Sequence, residues 1–345
     1  MKVTEKTVPG YERVVYAEDE AIHYRAIIAI HSTALGPAVG GTRFWNYATQ
    51  DEALQDALRL ARGMTYKNAL AELPIGGGKS VIIGDNRRTD REQLFRAHGR
   101  FVESLGGKYI TAEDVGTSPA DMEFILQETK HVAGLEGRSG DPSPRTARGV
   151  FRAIQASARR CWGSDDLRNK TVALQGCGHV GYYLAGELHK AGAKMVVSDV
   201  APERVQRVVA EYGATSVSPE EIYKVQADIF APCALGSIIN DQTIPQLRVE
   251  IVAGGANNQL LEERHGELLE KRGILYAPDY AANAGGIING CCREMLGWEV
   301  PRTLKKIDAI YDTVLKIFEI AKSQTIPSYQ AADRLAEERM NKIGV

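Results

Sequence analysis

Cysteine is scarce in this 345-residue sequence, with five residues and no CxxC pair. An odd, scattered set of that kind builds neither a disulfide framework nor a zinc cage. Cys291 and Cys292 are direct neighbours, a pairing that rarely bridges. Seven histidines include no HExxH pair, so no metal site is expected. Long apolar runs are missing too, and stretches such as Ala26 to Ile30 are far too short to cross a bilayer. The opening segment, MKVTEKTVPGYERVVY, lacks the apolar core of a secretory signal. Charge of one sign is also absent: 42 Lys and Arg against 44 Asp and Glu give −2, without the positive field that nucleic acid attracts. What is present is ordinary, with 44% hydrophobic and 25% charged residues. A reduced, cytoplasmic, globular protein is expected, and at about 150 residues per domain it should have two domains.

The first 140 residues alternate strand and helix signals. Tyr24 to His31 reads as a buried strand running into a turn-rich segment, Leu35 to Gly41. A helix is expected from near Gln50 to about Glu72, where Leu54, Ala57, Leu58, Ala61 and Met64 recur on one face. Strand Lys79 to Gly84 follows three glycines, and a helix near Asp90 to Leu105 and a strand near Lys108 to Thr111 come next. Composition shifts to Gly, Ser, Asp and Pro from Gly134 to Pro144, which places a boundary near residue 140. Beyond it, strands Thr171 to Leu174, Lys194 to Ser198, Asp228 to Ala231, Glu250 to Ala253 and Ile274 to Ala277 are separated by helices. Among these helices are His179 to Lys190, Pro202 to Tyr212 and Leu260 to Arg272. Such alternation predicts a parallel sheet covered on both faces. The fold class is therefore α/β: an N-terminal α/β domain, 1–140, and a doubly wound Rossmann-type domain, 141–326, with a cleft between. Helices broken at Ile326-Pro327 end the chain.

Gln175-Gly176-Cys177-Gly178-His179-Val180-Gly181 matches GxGxxG between a predicted strand and a predicted helix. In that context the glycines permit a tight turn, close approach to a pyrophosphate and close packing of helix on sheet. The helix start offers amide groups to the phosphates. Asp199, followed by Val200, ends the next strand 23 residues after Gly176, near the spacing of a ribose ligand. An acid there repels a 2′-phosphate, so the expected cofactor is NAD, although Arg204 and Arg207 lie close by.

Lys67 continues the line of Leu60 and Met64, where a buried ammonium needs an anion or must snorkel from a helix end. Lys79 follows GGG, but the phosphate-loop reading fails because position 73 is Leu. Glu113 and Asp114 follow a strand end, where they could serve catalysis or cap the next helix. Asn257, Asn258 and Asn283 lie in glycine-rich apolar surroundings, where amides bond local backbone or a ligand.

The blocks GPAVGGTR (36–43), ALRLARGMTYKNA (57–69), GGGKSVIIGD (76–85), TAEDVGT (111–117), DIFAPCALG (228–236), AGGANNQL (253–260) and YAPDYAANAGGIIN (276–289) resemble the glutamate/leucine/phenylalanine/valine dehydrogenase superfamily. Leucine dehydrogenases are the most similar branch. The resemblance implies reversible NAD-dependent oxidative deamination of a hydrophobic L-amino acid. It gives Lys67 the substrate carboxylate, Lys79 the role of general base on water, and Asp114 that of proton shuttle. It assigns Asn257 to substrate and cofactor, and Asn283, Thr146, Cys233 and Ala234 to the cofactor, alongside Gly176, Gly178, His179, Val180, Gly181, Asp199 and Val200. Val39, Gly40, Gly41, Ala112, Ile287 and Gly290 would meet the substrate. Gly290 stands where leucine dehydrogenases tend to carry valine, which widens the pocket and makes an aromatic substrate the rival of a branched aliphatic one. His179 replaces a common asparagine. A non-catalytic NAD-binding sensor is the alternative of another class. The resemblance also implies a homo-oligomer, octamer or dimer, with the helix 327–345 returning to the first domain.

Overall fold

The computed structural model describes residues 1–135 and 140–343, with the backbone alone for 342 and 343. The boundary expected within Gly134–Pro144 therefore falls partly on residues 136–139, outside the described residues, as do the last two residues of the expected C-terminal helix. The chain divides into two compact units. One comprises Met1–Gly140, Arg293–Met295 and Ala336–Val345; the other comprises Asp141–Cys292 and Leu296–Leu335.

The first unit is built on strands β1 (Lys2–Lys6), β2 (Arg13–Asp19), β3 (Tyr24–Ser32), β4 (Ala38–Trp45), β5 (Gly76–Ile83) and β6 (Tyr109–Glu113), in the order β1-β2-β3-β5-β4-β6. Neighbours from β1 to β5 run antiparallel, whereas β4 is parallel to both β5 and β6. Helix α1 (Gln50–Leu70) covers one face and helices α2 (Arg91–Glu103) and α3 (Pro119–Leu126) the other. Period-two alternation sorts the side chains. Val81 and Ile83 join Ala53, Ala57 and Ala61 of α1, while Ile82 joins Phe95, Phe101 and Met122. Each Val, Ile, Phe or Met side chain so buried contributes roughly 1.5–3 kcal/mol, and each alanine less. Thr49 caps α1 by accepting from the Glu52 amide at 3.1 Å, worth about 1 kcal/mol.

Strand β4 occupies much of what the sequence presents as a turn. Gly40 and Gly41 conceal it because they lack the side chains by which strands are recognised. They are there because the strands lie close: a Cβ on Gly40 would fall 1.8 Å from the Gly78 carbonyl oxygen. The triple glycine likewise belongs inside β5 rather than before it. A Cβ on Gly77 would fall 2.1 Å from the Thr65 amide nitrogen, so glycine is what lets α1 settle on the strand. The antiparallel strands β1 and β2 have no counterpart in the sequence reading.

In the second unit, β7 (Thr171–Gln175), β8 (Lys194–Ser198), β9 (Thr215–Ser216), β10 (Ile229–Pro232), β11 (Ile251–Val252) and β12 (Leu275–Tyr276) form an all-parallel sheet, ordered β12-β11-β10-β7-β8-β9. This is the doubly wound order, with its switch point between β7 and β10. Its helices are α4 (Ser143–Trp162), α5 (His179–Lys190), α6 (Pro202–Tyr212), α7 (Arg264–Lys271), α8 (Asp279–Ala282), α9 (Gly285–Gly290), α10 (Val300–Asp308) and α11 (Ile310–Gln324). A π-helical turn, Cys291–Met295, follows α9. The final helix, α12 (Ser328–Ile343), belongs to the first unit only from Ala336. There Tyr66 donates to Glu337 at 2.8 Å. Helix α4 went unread, although Pro144 in its first turn and Gly163 at its end (φ 75°) are ordinary start and stop signals.

The α2 face of the first sheet carries a buried polar layer. Thr42 Oγ1 lies 2.5 Å from both Ser80 Oγ and Thr111 Oγ1 and 2.9 Å from His98 Nε2, and His98 Nδ1 meets the Tyr24 hydroxyl at 2.8 Å. Burial pushes the His98 imidazole down to about 3. Below pH about 6.5 the unfolded chain takes up a proton that the folded imidazole refuses. Stability therefore falls as pH drops from about 6.5 toward 3, by up to about 1.4 kcal/mol per pH unit from this group. Urea unfolding of the protein and of His98→Gln at pH 7 and pH 5 checks this. The substitution should lower stability at pH 7 yet flatten the acid loss; equal losses in both proteins would contradict the assignment.

Candidate active site

Alternation along β4, β5 and β6 puts Val39, Gly41 and Arg43, Lys79, and Ala112 on the α1 side of the first sheet. The register supports this, since Gly41 pairs with Ala112 and Arg43 with Val81, two residues beyond Lys79. Gly40 lies between them and pairs with Thr111. Val39 is buried and Ala112 half-buried. Asp114 follows the end of β6, and its amide donates to Thr117 Oγ1 at 2.9 Å. Capping of α3 falls instead to Ser118 and Asp121, whose Oδ2 accepts from the Ser118 amide at 2.8 Å. Asp114 is thereby released for other work.

That work is an ion pair. Lys79 Nζ lies 2.5 Å from Asp114 Oδ2. The lysine is 6% exposed on a strand that is buried throughout. Burial lowers the Lys79 pKa, opposed by the Asp114 carboxylate and reinforced by the positive charge of Arg43. Burial alone would raise Asp114, but Lys79 and Arg43 outweigh it and hold the carboxyl below its ordinary value. A lysine with lowered proton affinity beside an ionised carboxylate gives up and takes back a proton more readily than an ordinary lysine. Lys67 lies half-buried in the last turn of α1, the helix that packs on β5.

Sequence reading gave no role to Arg43, although it ends the GPAVGGTR block. Its Nε lies 3.1 Å from Asp114 Oδ2 and its Nη1 lies 2.8 Å from Asp56 Oδ2. Asp56 also accepts from the Tyr47 hydroxyl at 2.8 Å. Recognising β4 as a strand would have marked Arg43 as a charge in a buried sheet.

A second group of residues gathers at the carboxyl ends of β7, β10 and β11 in the other unit. Gly176 has φ 96°, and a Cβ there would meet Cys233 and Ala234 at 2.8–2.9 Å. On Gly181 a Cβ would fall 1.9 Å from the Gly176 carbonyl oxygen, so α5 lies directly on the turn. Gly178 differs: its nearest neighbour would be Arg204 at 3.9 Å, which leaves the outer side of the loop open. His179 opens α5 and is exposed, Val180 is half-buried and Val200 is 85% exposed. Asp199 accepts from the Cys177 amide at 2.7 Å and the Ala201 amide at 2.9 Å, which fixes it beside the loop.

Nearby, Asn283 Nδ2 donates to Asn257 Oδ1 at 2.8 Å and to the Gly255 carbonyl at 3.3 Å. Asn283 Oδ1 is buried without a hydrogen-bond partner among the described residues. Thr146 donates to the Pro142 carbonyl at 3.1 Å, and its Oγ1 would lie 2.8 Å from a Cβ on Gly286. An open glycine turn, amides at a helix start, an acid at the next strand end and an orphaned amide oxygen suit a dinucleotide carrying a carboxamide. Ile287 and Gly290 lie three apart on α9, both half-buried, and a Cβ on Gly290 would meet nothing within 4 Å. Among the described residues no group of three or more His, Cys, Asp or Glu side chains could hold a metal ion.

Two family models match the chain. One, Glu/Leu/Phe/Val dehydrogenase, dimerisation domain, covers residues 7–131; the other, Glutamate/Leucine/Phenylalanine/Valine dehydrogenase, covers 137–202 and 200–342. Leucine dehydrogenase of Geobacillus stearothermophilus is 57% identical over 96% of this chain and 90% of its own length. Phenylalanine dehydrogenase of Caldalkalibacillus thermarum is 45% identical over 99% and 94%. The crystal structure of L-tryptophan dehydrogenase from Nostoc punctiforme superposes with a TM-score of 0.88 at 49% identity, covering 97% of this chain and 96% of that one. Dehydrogenases of this family depend on a pyridine nucleotide, and the open glycine turn provides for one. With both family models matched across nearly its whole length, the chain belongs to the glutamate/leucine/phenylalanine/valine dehydrogenase family and is an amino acid dehydrogenase.

Proposed function

We propose that the protein oxidatively deaminates a hydrophobic, branched aliphatic L-amino acid with NAD⁺. The amino acid, water and NAD⁺ give the 2-oxo acid, ammonium, NADH and a proton, reversibly. The buried Lys79–Asp114 pair is the observation that carries this reading. In it, Lys67 holds the substrate carboxylate and stays charged because it faces an anion. Lys79, its pKa lowered by burial, takes a proton from the attacking water. Asp114 moves protons to and from the nitrogen as it leaves. NAD⁺, when bound, supplies the hydride acceptor. The loop Gly176 to Gly181 with Val180 and His179 holds its phosphates, Asp199 and Val200 the adenosine, and Thr146, Cys233, Ala234, Asn257 and Asn283 the nicotinamide side. The carboxylate of Asp199 beside the loop supports NAD over its 2′-phosphorylated form.

In this reading the residues that select the substrate side chain are Val39, Gly40, Gly41, Ala112, Ile287 and Gly290. The first unit, residues 1–140 with the end of α12, is the substrate and oligomerisation domain of this reading; the second is the nucleotide domain. A homo-oligomer, octamer or dimer, is supported by the family description of residues 7–131 as a dimerisation domain. Five free cysteines support a reducing, cytoplasmic setting.

Incubation with L-leucine, L-valine, L-isoleucine or L-phenylalanine and NAD⁺ at alkaline pH, followed by NADH absorbance, tests the reading. NADH should form, most rapidly with a branched aliphatic substrate; silence with all four would overturn it. The open space at Gly290 favours one second reading, a larger or aromatic substrate. Gly290→Val should raise the leucine-to-phenylalanine ratio of kcat/KM roughly five- to a hundredfold, the range expected for a few carbons in a pocket. An unchanged ratio would remove this position from the pocket.

A further inference from the structure

Arg43 has no part in the chemistry above, yet it touches the same oxygen as Lys79. Its guanidinium divides between two acids, with Nε 3.1 Å from Asp114 Oδ2 and Nη1 2.8 Å from Asp56 Oδ2. Asp56 is itself fixed, accepting from Tyr47 Oη at 2.8 Å and from Arg59 Nη2 at 2.9 Å. Side chains of Arg43 and Asp114 are each 22% exposed and that of Asp56 is 15% exposed, so solvent screens these contacts weakly. We propose that Arg43, clamped by Asp56, is a positioning residue for Asp114: it fixes the plane of the carboxylate, so that Oδ2 stays on the cations and Oδ1 is the oxygen presented to the reacting nitrogen.

The geometry of the two cations supports this division of labour. Lys79 offers an ammonium, a compact charge about which a carboxylate can pivot. Arg43 offers a planar fork whose direction is set by its grip on a second acid. One cation alone neutralises Asp114; the second orients it. A stability role explains the arrangement less well, because half-buried ion pairs return little net free energy once desolvation is counted.

Charge follows from the same placement. The groups coupled electrostatically to the Lys79–Asp114 pair are Arg43 on β4, Tyr47 after β4, Asp56 on α1, and Tyr109 and Glu113 on β6. Among these, Arg43 lowers the proton affinity of both Lys79 and Asp114. Its neutralisation should move both limbs of the pH profile toward higher pH.

The proposal rests on Lys79 and Asp114 being the proton-handling pair. Its test is the pH dependence of kcat and KM for Arg43→Gln, Arg43→Lys and Asp56→Asn, with the L-amino acid that the unaltered protein oxidises fastest. Arg43→Gln should lower kcat roughly ten- to a hundredfold, the cost of a misplaced catalytic group, and shift both limbs upward with KM for NAD⁺ unchanged. Arg43→Lys should restore the limbs but not the full kcat, because an ammonium cannot span both acids. Asp56→Asn should lower kcat while Arg43 keeps its charge. If Arg43→Gln merely lowers the melting temperature, and its folded fraction keeps the original kcat and profile, the proposal is wrong. Lys79→Ala separates the two failures. If that variant turns over normally, the underlying assignment of the pair has failed; if it is inactive while Arg43→Gln behaves as the unaltered protein does, only the positioning role has.

Discussion

A lysine 6% exposed in the middle of a strand is the constraint around which the first unit is arranged. An unpaired ammonium in that position would cost several kcal/mol. The chain meets this with Asp114 at 2.5 Å, and balances Asp114 in turn with Arg43. Apolar residues of the same volume would serve stability as well or better. The pair therefore makes physical sense as a reactive device, in an enzyme whose reaction moves protons at water and nitrogen. Glycines at 40 and 77 belong to the same arrangement, because they let strands and α1 close around the charges.

The second unit answers a different demand. A dinucleotide needs a turn that approaches phosphates without side chains, and an acid at a fixed distance to read the ribose. The close fit of Gly176 against Cys233 and Ala234 ties that turn to the switch point of the sheet, where β7 and β10 lie side by side. The doubly wound order follows from strand–helix alternation, and the binding edge follows from the order. Asn283, whose buried Oδ1 has no hydrogen-bond partner among the described residues, lies beside the same edge through its bonds to Asn257 and Gly255.

Much of this was legible in the sequence where local periodicity and packing agree. Helix α1 announced itself by the spacing of Ala57, Leu58 and Ala61. The strands β7 and β8 announced themselves as short apolar runs beside the glycine turn. Strand β4 did not, because the close packing that needs Gly40 and Gly41 removes the pattern by which strands are read. Spacing alone could not join Lys79 to Asp114, 35 residues apart, since their meeting depends on β5 and β6 flanking β4. The family resemblance placed both residues in one catalytic site, and the fold shows them paired. It did not supply Arg43, whose significance appears only when Asp56 and Asp114 are seen on either side of one guanidinium.

Whether the buried pair performs the chemistry is tested most directly by Lys79→Ala, with kcat and NADH affinity measured on the same preparation. The account predicts a loss in kcat of roughly a thousandfold or more, with the dissociation constant for NADH changed by no more than about twofold. Comparable loss of both, or turnover that survives the substitution, would contradict it.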